Sequence, residues 1–250
     1  MAKVFISGAS GGFGREFAIQ LEAMGYDLIL HGRDRVRLQL TLDALQHPKK
    51  HLCLIADLAI PEEVEQLISR LRQEDELIAL VNNAGFGVWG RFVERESVLQ
   101  QEVLQTDLMA PMHMSHALLP ALLKRKGFMI NVSSLAAETP LPCLASYAAA
   151  KAGLTFWSEA LRTELAEKLR VVTLAPGPSP TGFRDRSGMV AGKGSFFRTS
   201  AGEVVSQALQ CLEQGGGYCI PGWRHKLLFV IQCLTPRCLS LKLMYKYLRL

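Results

Sequence analysis

The sequence predicts a doubly wound α/β fold, in which a parallel sheet of about seven strands carries helices on both faces. Short runs of β-branched and apolar residues alternate with longer helical segments along the chain. Such alternation favours parallel pairing through right-handed crossovers. The 250 residues are enough for one large domain with a substantial core, and no repeat or interdomain linker interrupts the pattern.

The predicted strands are short apolar runs, and the last of them follows the turn Gly215–Gly217. In chain order they are Lys3–Ser7, Asp27–His31, His51–Ala56, Ile78–Val81, Phe128–Val132, Val171–Leu174 and Tyr218–Ile220. The predicted helices show apolar residues at three- and four-residue spacing, and proline favours the first turn of one of them. They cover Gly12–Met24, Asp34–Leu45, a segment from Pro61, about Gln100–Lys124 and Ser146–Glu167. Ligands of such sheets bind at the carboxyl ends of the strands, so functional residues are expected there.

Composition and charge exclude several classes of protein. Hydrophobic residues make up 49% and charged residues 20% of the chain, as in an ordinary globular protein. Six basic residues follow the last acidic residue, Glu213, and the rest of the chain has 22 basic against 23 acidic residues. The net charge of +5 therefore belongs to the tail, and no nucleic-acid partner is expected.

Cysteine spacing and apolar runs bear on metal binding and location. The six cysteines form no CxxC pair and no zinc-ligand spacing, so we expect free thiols and no metal site. No signal-peptide pattern precedes the first strand. The apolar stretch Leu227–Leu234 is shorter than the roughly 20 residues that span a bilayer. A reducing cytoplasm is the expected location.

A glycine-rich segment, Gly8-Ala9-Ser10-Gly11-Gly12-Phe13-Gly14, joins the first strand to the first helix. Glycines let the backbone approach a pyrophosphate, and a helix N-terminus offers unpaired N–H groups and a positive dipole end. Glycines also make ordinary turns, but this position between strand and helix indicates a dinucleotide site. No Gly-Lys-Ser/Thr follows, which disfavours a P-loop. The expected cofactor contacts in this segment are Gly8, Ser10, Gly12, Phe13 and Gly14.

The end of the second strand should meet the adenosine ribose of such a cofactor. An acidic residue there would bind both ribose hydroxyls, whereas this chain has Arg33. A guanidinium pairs with a phosphate dianion, which favours NADP(H) over NAD(H). Arg35 or Arg37 could assist. The alternative is that these arginines only begin a solvated helix, with Asp34 as its cap.

Tyr147 and Lys151 lie four residues apart in a predicted helix and so share one face, and Ser134 lies 13 residues before Tyr147. A carbonyl that accepts hydride needs a proton, which a tyrosine hydroxyl can supply. The ordinary tyrosine pKa of about 10 is high for this task, and an adjacent ammonium with an oxidised nicotinamide would lower it. A serine hydroxyl can orient the carbonyl. A buried tyrosine beside a surface lysine is the alternative for the pair alone.

Over residues 1–222 these motifs resemble the short-chain dehydrogenase/reductase family, in its single-domain branch. The resemblance implies a Rossmann-type fold, catalysis by Ser134, Tyr147 and Lys151, and hydride transfer between NADP(H) and a small-molecule carbonyl or alcohol. Tyr147 and Lys151 would also contact the cofactor. The further cofactor contacts that it implies are Asp57, Leu58, Asn83, Ala84, Gly85, Pro176, Gly177 and Thr181. Relatives commonly form homodimers or homotetramers. A non-catalytic NADP-binding or scaffolding protein on the same fold is the alternative.

One position departs from the family pattern. Relatives often carry asparagine where this chain has Asp107, and that asparagine helps to hold a water in a proton relay to the lysine. If the relay uses the side chain, the added negative charge should favour protonated Lys151 and alter the pH profile. Asp107 is therefore a candidate catalytic residue. The alternative is a hydrogen bond or cap within its own helix.

Two segments bear on substrate and partners. Residues 178–200 resemble a mobile substrate lid, and its apolar residues favour an apolar substrate; they include Phe183, Met189, Phe196 and Phe197. Residues 223–250 form a basic, amphipathic helical tail with Lys242, Lys246 and Arg249 on one face. The tail could cover the substrate cleft or a partner subunit, lie on an anionic membrane surface, or be a solvated terminus.

Overall fold

The computed structural model describes residues 1–189 and 198–247. Its strands are β1 (Lys3–Ile6), β2 (Asp27–Gly32), β3 (Leu52–Ile55), β4 (Leu77–Asn82), β5 (Phe128–Val132), β6 (Arg170–Leu174) and β7 (Gly217–Cys219). They form one parallel sheet in the order β3-β2-β1-β4-β5-β6-β7. The predicted doubly wound parallel sheet is confirmed.

The helices follow the strands in alternation. They are α1 (Gly12–Ala23), α2 (Arg35–Leu42), α3 (Pro61–Leu71), α4 (Ser97–Leu104), α5 (Ala110–Lys124), α6 (Ala145–Glu164), α7 (Phe183–Ser187), α8 (Ala201–Glu213), α9 (Trp223–Leu234) and α10 (Arg237–Tyr247). The sequence analysis assigns no helix to α8, although Ser200 caps it by accepting a hydrogen bond from the Glu203 N–H. A serine followed three residues later by glutamate is a typical helix start.

The two faces of the sheet are covered by different helices because neighbouring strand residues point to opposite sides. Val4 and Ile6 of β1 pack with α1 and α8 in one apolar core. Phe5 between them packs with α3 and α5 in a second core on the other face. Strands buried on both faces explain why the strand sequences are almost continuously apolar.

The helix predicted at about Gln100–Lys124 is interrupted. A π-helical turn, Gln105–Met109, joins α4 to α5. Pro111 has no N–H, so the carbonyl of Asp107 lacks the donor that an α-helix would supply. The turn buries Thr106 and Asp107, and such turns are frequent at functional sites.

The strand order reverses between β1 and β4, which is where a doubly wound sheet binds its ligand. Among the described residues, no helix has the length and apolar character that crossing a membrane requires. Part of the predicted lid, including Phe196 and Phe197, lies outside the described residues, as do residues 248–250 of the predicted tail with Arg249.

Candidate active site

The glycine segment forms a tight turn at the carboxyl end of β1. Gly8 adopts φ +64°, a conformation that favours glycine, and a side chain on Gly14 would collide with the Gly8 carbonyl. Helix α1 begins after Gly11 with neither a side-chain cap nor an acidic residue in its first turn. Its N–H groups and positive dipole end are therefore available to an anion, so the turn fits the pyrophosphate of a dinucleotide.

The segment after β4 is tied to this turn. The Ser7 hydroxyl accepts hydrogen bonds from the N–H groups of Asn83 and Ala84, each at 3.0 Å. The Asn83 amide donates to the carbonyls of Ser7 and Gly8 at 2.9 and 3.0 Å. The Asn83 side chain therefore holds the glycine turn in place. Ser7, which the sequence analysis did not select, completes this support.

Arg33 directly follows β2, where the sequence predicts contact with the adenosine ribose. Its guanidinium is 3.7 Å from the Asp57 carboxylate and 5.7 Å from the centre of the Phe86 ring. The Arg33 side chain is 62% exposed, so it can turn toward an anion in solvent. Asp34 accepts a hydrogen bond from the Arg37 N–H and caps α2, as the alternative interpretation expected.

A third arginine reaches the same region from α7. The Arg186 guanidinium donates to the Thr181 carbonyl at 3.2 Å and lies beside Gly11. Partial burial lowers the pKa of Arg186, and the positive charges of Arg37 and Arg33 lower it further. Arg186 thus lies beside the glycine turn, and Arg37 and Arg33 are close enough for their charges to lower its pKa. Sequence spacing could not identify Arg186, because α7 lies about 150 residues along the chain from β2.

Two predicted cofactor residues direct their side chains into the core. Leu58 is 3% exposed within the apolar core of α3 and α5, and Phe13 packs against the core of α1 and α8. A cofactor would meet the backbone of these residues and not their side chains. Thr181, by contrast, lies directly over the turn, since a side chain on Gly12 would come within 2.8 Å of its Cα.

The structure brings Ser134, Tyr147 and Lys151 together. Tyr147 and Lys151 lie one turn apart on α6, and the Lys151 ammonium is 5.8 Å from the centre of the Tyr147 ring. Ser134 follows β5, and its hydroxyl lies close enough to the Tyr147 phenol to affect the pKa of that group. The Ser134 oxygen also accepts the N–H of Ala136 at 3.0 Å, which fixes its position.

Asp107 faces Lys151 and not its own helix. Its Oδ2 atom is 3.3 Å from the Lys151 ammonium, and its Oδ1 atom accepts the Phe86 N–H at 2.9 Å. Lys151 also donates to the Val132 carbonyl at 2.9 Å. Burial raises the pKa of Asp107, and the positive charge of Lys151 opposes that rise. The π-helical turn thus places Asp107 in a buried ion pair with Lys151, which lies one helical turn from Tyr147.

The pKa of Tyr147 is raised above its ordinary value. Burial is the main cause, the negative charge of Asp107 adds to it, and the Ser134 hydrogen bond opposes it. We expected an adjacent ammonium, together with a bound oxidised nicotinamide, to lower this pKa. In the structure the ammonium is instead engaged by Asp107 and the Val132 carbonyl. The phenol therefore carries its proton at neutral pH.

An apolar wall surrounds the tyrosine. The ring of Phe183, the first residue of α7, lies 5.0 Å from the Tyr147 ring. Other apolar residues of this wall are Phe86, Val88, Trp89, Val103, Leu108, Leu141, Leu144 and Met189. The described part of the predicted lid thus touches both the tyrosine, through Phe183, and the glycine turn, through Thr181 and Arg186.

Pro176 and Gly177 follow β6 and lie close to Ser134. The Pro176 carbonyl accepts the Leu135 N–H at 3.1 Å, next to Ser134. The buried ring of His225, the third residue of α9, packs so closely on Gly177 that no side chain would fit there.

Within the described ranges, no group of three or more His, Cys, Asp or Glu side chains is arranged to hold a metal ion.

Comparison with known proteins agrees with this geometry. Residues 2–189 match the family model described as short chain dehydrogenase. The chain is 30% identical over 233 residues to hydroxysteroid dehydrogenase-like protein 1 of Gallus gallus, covering 90% of this chain and 70% of that protein. It is 30% identical over 182 residues to estradiol 17-beta-dehydrogenase 2 of Mus musculus, covering 70% of this chain and 47% of that protein.

A solved structure shows the same fold. The short-chain dehydrogenase from Sphingobium yanoikuyae in complex with NADPH is 26% identical. The match covers 93% of this chain and 94% of that one, with a TM-score of 0.82. The similarity therefore extends past the segment that the family model matches.

Proposed function

Because the chain belongs to the short-chain dehydrogenase family, we propose that it is an NADP(H)-dependent oxidoreductase. It would interconvert a carbonyl and the corresponding alcohol. The observation that carries this proposal is the meeting of Ser134, Tyr147 and Lys151 at the carboxyl end of the sheet, beside the glycine turn. A non-catalytic binding protein would not need these three side chains together.

The roles of the side chains follow from their positions. Bound NADPH would supply the hydride. The Tyr147 phenol, whose pKa is raised, would donate its proton to the carbonyl oxygen, and the Ser134 hydroxyl would hold that oxygen. Lys151, the cation nearest to the phenol ring, would hold the cofactor ribose and stabilise tyrosinate after the proton has left.

The choice of NADP(H) over NAD(H) is supported by positive charge on the adenosine side. The positive charges of Arg37 and Arg33 lower the pKa of Arg186, and a phosphate dianion bound there would relieve this repulsion. Arg33 directly follows β2 and Arg186 lies on α7, so a 2′-phosphate would be held from two sides. An NADPH complex is known for the Sphingobium relative, which is consistent with this preference.

Cofactor binding by an Arg33→Ala variant tests this preference. Loss of a charge-assisted hydrogen bond costs about 1.5–3 kcal/mol, so we expect NADPH to bind roughly 10- to 100-fold more weakly. NADH binding should change little. Arg186→Ala should weaken NADPH binding in the same direction. Titration with each cofactor, followed by intrinsic fluorescence, measures both effects.

The matched control is Arg72→Ala, because Arg72 is an exposed arginine that caps the C-terminus of α3. It should leave both affinities unchanged. Equal NADPH affinities for the wild type and the Arg33→Ala variant would overturn the assignment of the 2′-phosphate site, whereas the assignment of the catalytic residues would be unaffected.

The substrate proposed for this site is apolar. The side chains around Tyr147 are almost all aromatic or aliphatic, and the ring of Phe183 covers the phenol. Burial of an apolar substrate against such a wall is favourable in proportion to the area removed from water. The names of two relatives refer to steroid substrates, which is consistent with a bulky, apolar carbonyl or alcohol.

The buried aspartate gives the reaction a testable pH dependence. The negative charge of Asp107 raises the pKa of Tyr147, so an Asp107→Asn variant should lower that pKa. Alcohol oxidation requires tyrosinate. The rising limb of kcat/KM against pH should therefore move to lower pH in the variant. Initial rates with a simple secondary alcohol and NADP across the pH range measure the shift.

Asp75→Asn removes an exposed carboxylate elsewhere and serves as the control, with no shift expected. A limb that stays in place or moves to higher pH in the Asp107→Asn variant would contradict the proposed influence of Asp107 on the tyrosine.

Exposed apolar residues on the helices beside the site support a proposed homodimer or homotetramer. Leu104, Met109 and Phe156 project from α4, the π-helical turn and α6, and Phe156 is 74% exposed. Exposed apolar residues grouped in this way are typical of interaction sites. Light scattering of the full chain tests this proposal, and the mass of a single chain would contradict it.

We also propose a cytoplasmic location. All six cysteines are free thiols, and two of them, Cys233 and Cys238, are exposed. Exposed thiols persist in a reducing compartment. Immunofluorescence or fractionation of cells that express the full chain tests this location.

A further inference from the structure

The outward face of α9 is apolar and exposed to solvent. Trp223 is 70% and Leu234 79% exposed, and Leu227, Val230 and Ile231 are each close to half exposed. At about 100° per residue, these five side chains lie within an arc of roughly 100° on one side of the helix. We call this set the α9 stripe.

The opposite side of α9 is anchored to the body of the protein. His225 is 1% exposed, its ring lies against Gly177, and its Nδ1 atom is 2.9 Å from the Pro221 carbonyl. Leu228 and Phe229 pack against an apolar cluster formed by Leu135, Ala175 and Ile220. The α9 stripe is therefore held in a fixed position, facing away from the domain.

Positive charge borders the stripe. By helical geometry, Arg224 and Lys226 lie at its two edges, and Arg224 also lies over the Trp223 ring at 5.2 Å. The following helix, α10, adds the exposed Lys242, Leu239 and Tyr245. No acidic residue follows Glu213 in the chain. All the charged side chains of the tail are therefore cations, and they lie among apolar side chains.

We propose that α9 and α10 bind the protein to an anionic lipid surface. Apolar residues would enter the boundary between headgroups and acyl chains, and the bordering cations would meet lipid phosphates. Trp223 and Tyr245 are the side chains that favour such a boundary. This proposal takes up the lipid interpretation among the three that the sequence left open for the tail.

A second copy of the chain is a poorer occupant of the stripe. Two copies related by a two-fold axis would bring the same surface together. Lys226 of one copy would then approach the same residue of the other, and neither tail contains an acidic side chain to neutralise the two charges. An anionic lipid surface suits both features, because its acyl chains would contact the apolar arc and its phosphates would neutralise the cations.

The lipid surface would lie close to the substrate end of the site. α9 contacts Gly177 through His225, and its apolar anchor includes Leu135, the neighbour of Ser134. If the proposed function is correct, an apolar substrate could pass from the lipid to the apolar wall around Tyr147. Lipid binding itself does not depend on that activity.

Vesicle sedimentation with the full chain tests the proposal. The probes are vesicles of phosphatidylcholine alone and of phosphatidylcholine with phosphatidylglycerol in equal parts. We expect the wild type to sediment with the anionic vesicles and to be released by salt. A Leu227→Asp/Leu234→Asp variant should partition roughly a hundredfold more weakly, because two leucines would no longer enter the lipid. Each of Lys226→Gln and Lys242→Gln should weaken partitioning about fivefold.

The matched control is Phe92→Asp/Val93→Asp, which places two charges at exposed apolar positions before α4. It should sediment like the wild type. Circular dichroism checks that each variant is folded, and NADPH titration separates a failure of lipid binding from a failure of the cofactor proposal. The proposal is overturned if the wild type stays in solution with anionic vesicles, or if the stripe variant sediments equally well. If light scattering without vesicles gives the stripe variant a lower mass than the wild type, a second copy of the chain is the occupant of the α9 stripe.

Discussion

A Tyr147→Phe variant is expected to lose nearly all reductase activity. The change removes the phenol that donates the proton to the carbonyl oxygen, and general acid catalysis contributes about 100- to 10,000-fold in rate. We therefore expect kcat to fall by that factor. NADPH affinity should change little, because the ring remains against Phe183 and the glycine turn is untouched. NADPH oxidation with a panel of bulky apolar ketones measures the loss.

Tyr26→Phe is the matched control for this experiment. Tyr26 lies between α1 and β2, with its ring 6.0 Å from that of Phe128, at the end of the sheet opposite the site. Its variant should keep full activity. A Tyr147→Phe enzyme with most of its activity would contradict the assignment of the proton donor. A wild type without activity on any carbonyl tested would favour a non-catalytic NADP-binding or scaffolding protein.

A Lys151→Met variant is expected to lose stability as well as activity. Asp107 is completely buried, and Lys151 is the cation that faces it, at 3.3 Å. Removal of one partner of a buried ion pair leaves an uncompensated charge and costs about 3–5 kcal/mol. The free energy of unfolding, from urea denaturation followed by circular dichroism, should fall by about that amount.

The double variant Asp107→Asn/Lys151→Met separates the effect of an unpaired buried charge on stability from the effect of losing Lys151 on activity. It no longer buries an unpaired carboxylate, and the asparagine oxygen can still accept the Phe86 N–H. It should regain most of the lost stability and remain inactive. Lys124→Met, at an exposed lysine that ends α5, controls for loss of a lysine in general. A double variant no more stable than Lys151→Met would show that the ion pair is not the source of the loss.

The sequence by itself determined the fold and the local motifs. Strands buried on both faces must be continuously apolar, so their positions are visible in the sequence, and the observed strand ends differ from the predicted ends by at most one residue. The glycine turn and the pair Tyr147 and Lys151 are equally local, since a turn and one helical repeat fix their geometry. Such features need no knowledge of distant contacts.

Only the tertiary structure decided which distant side chains meet. Asp107 could have capped its own helix, but the π-helical turn directs it to Lys151 on α6. Arg186 became a candidate for the cofactor site because the chain folds α7 back onto the glycine turn. The apolar residues of α9 divide into a buried side and an exposed side only when the helix is seated on Gly177. In each case the deciding contact joins segments far apart in the chain, and local sequence patterns carry no information about it.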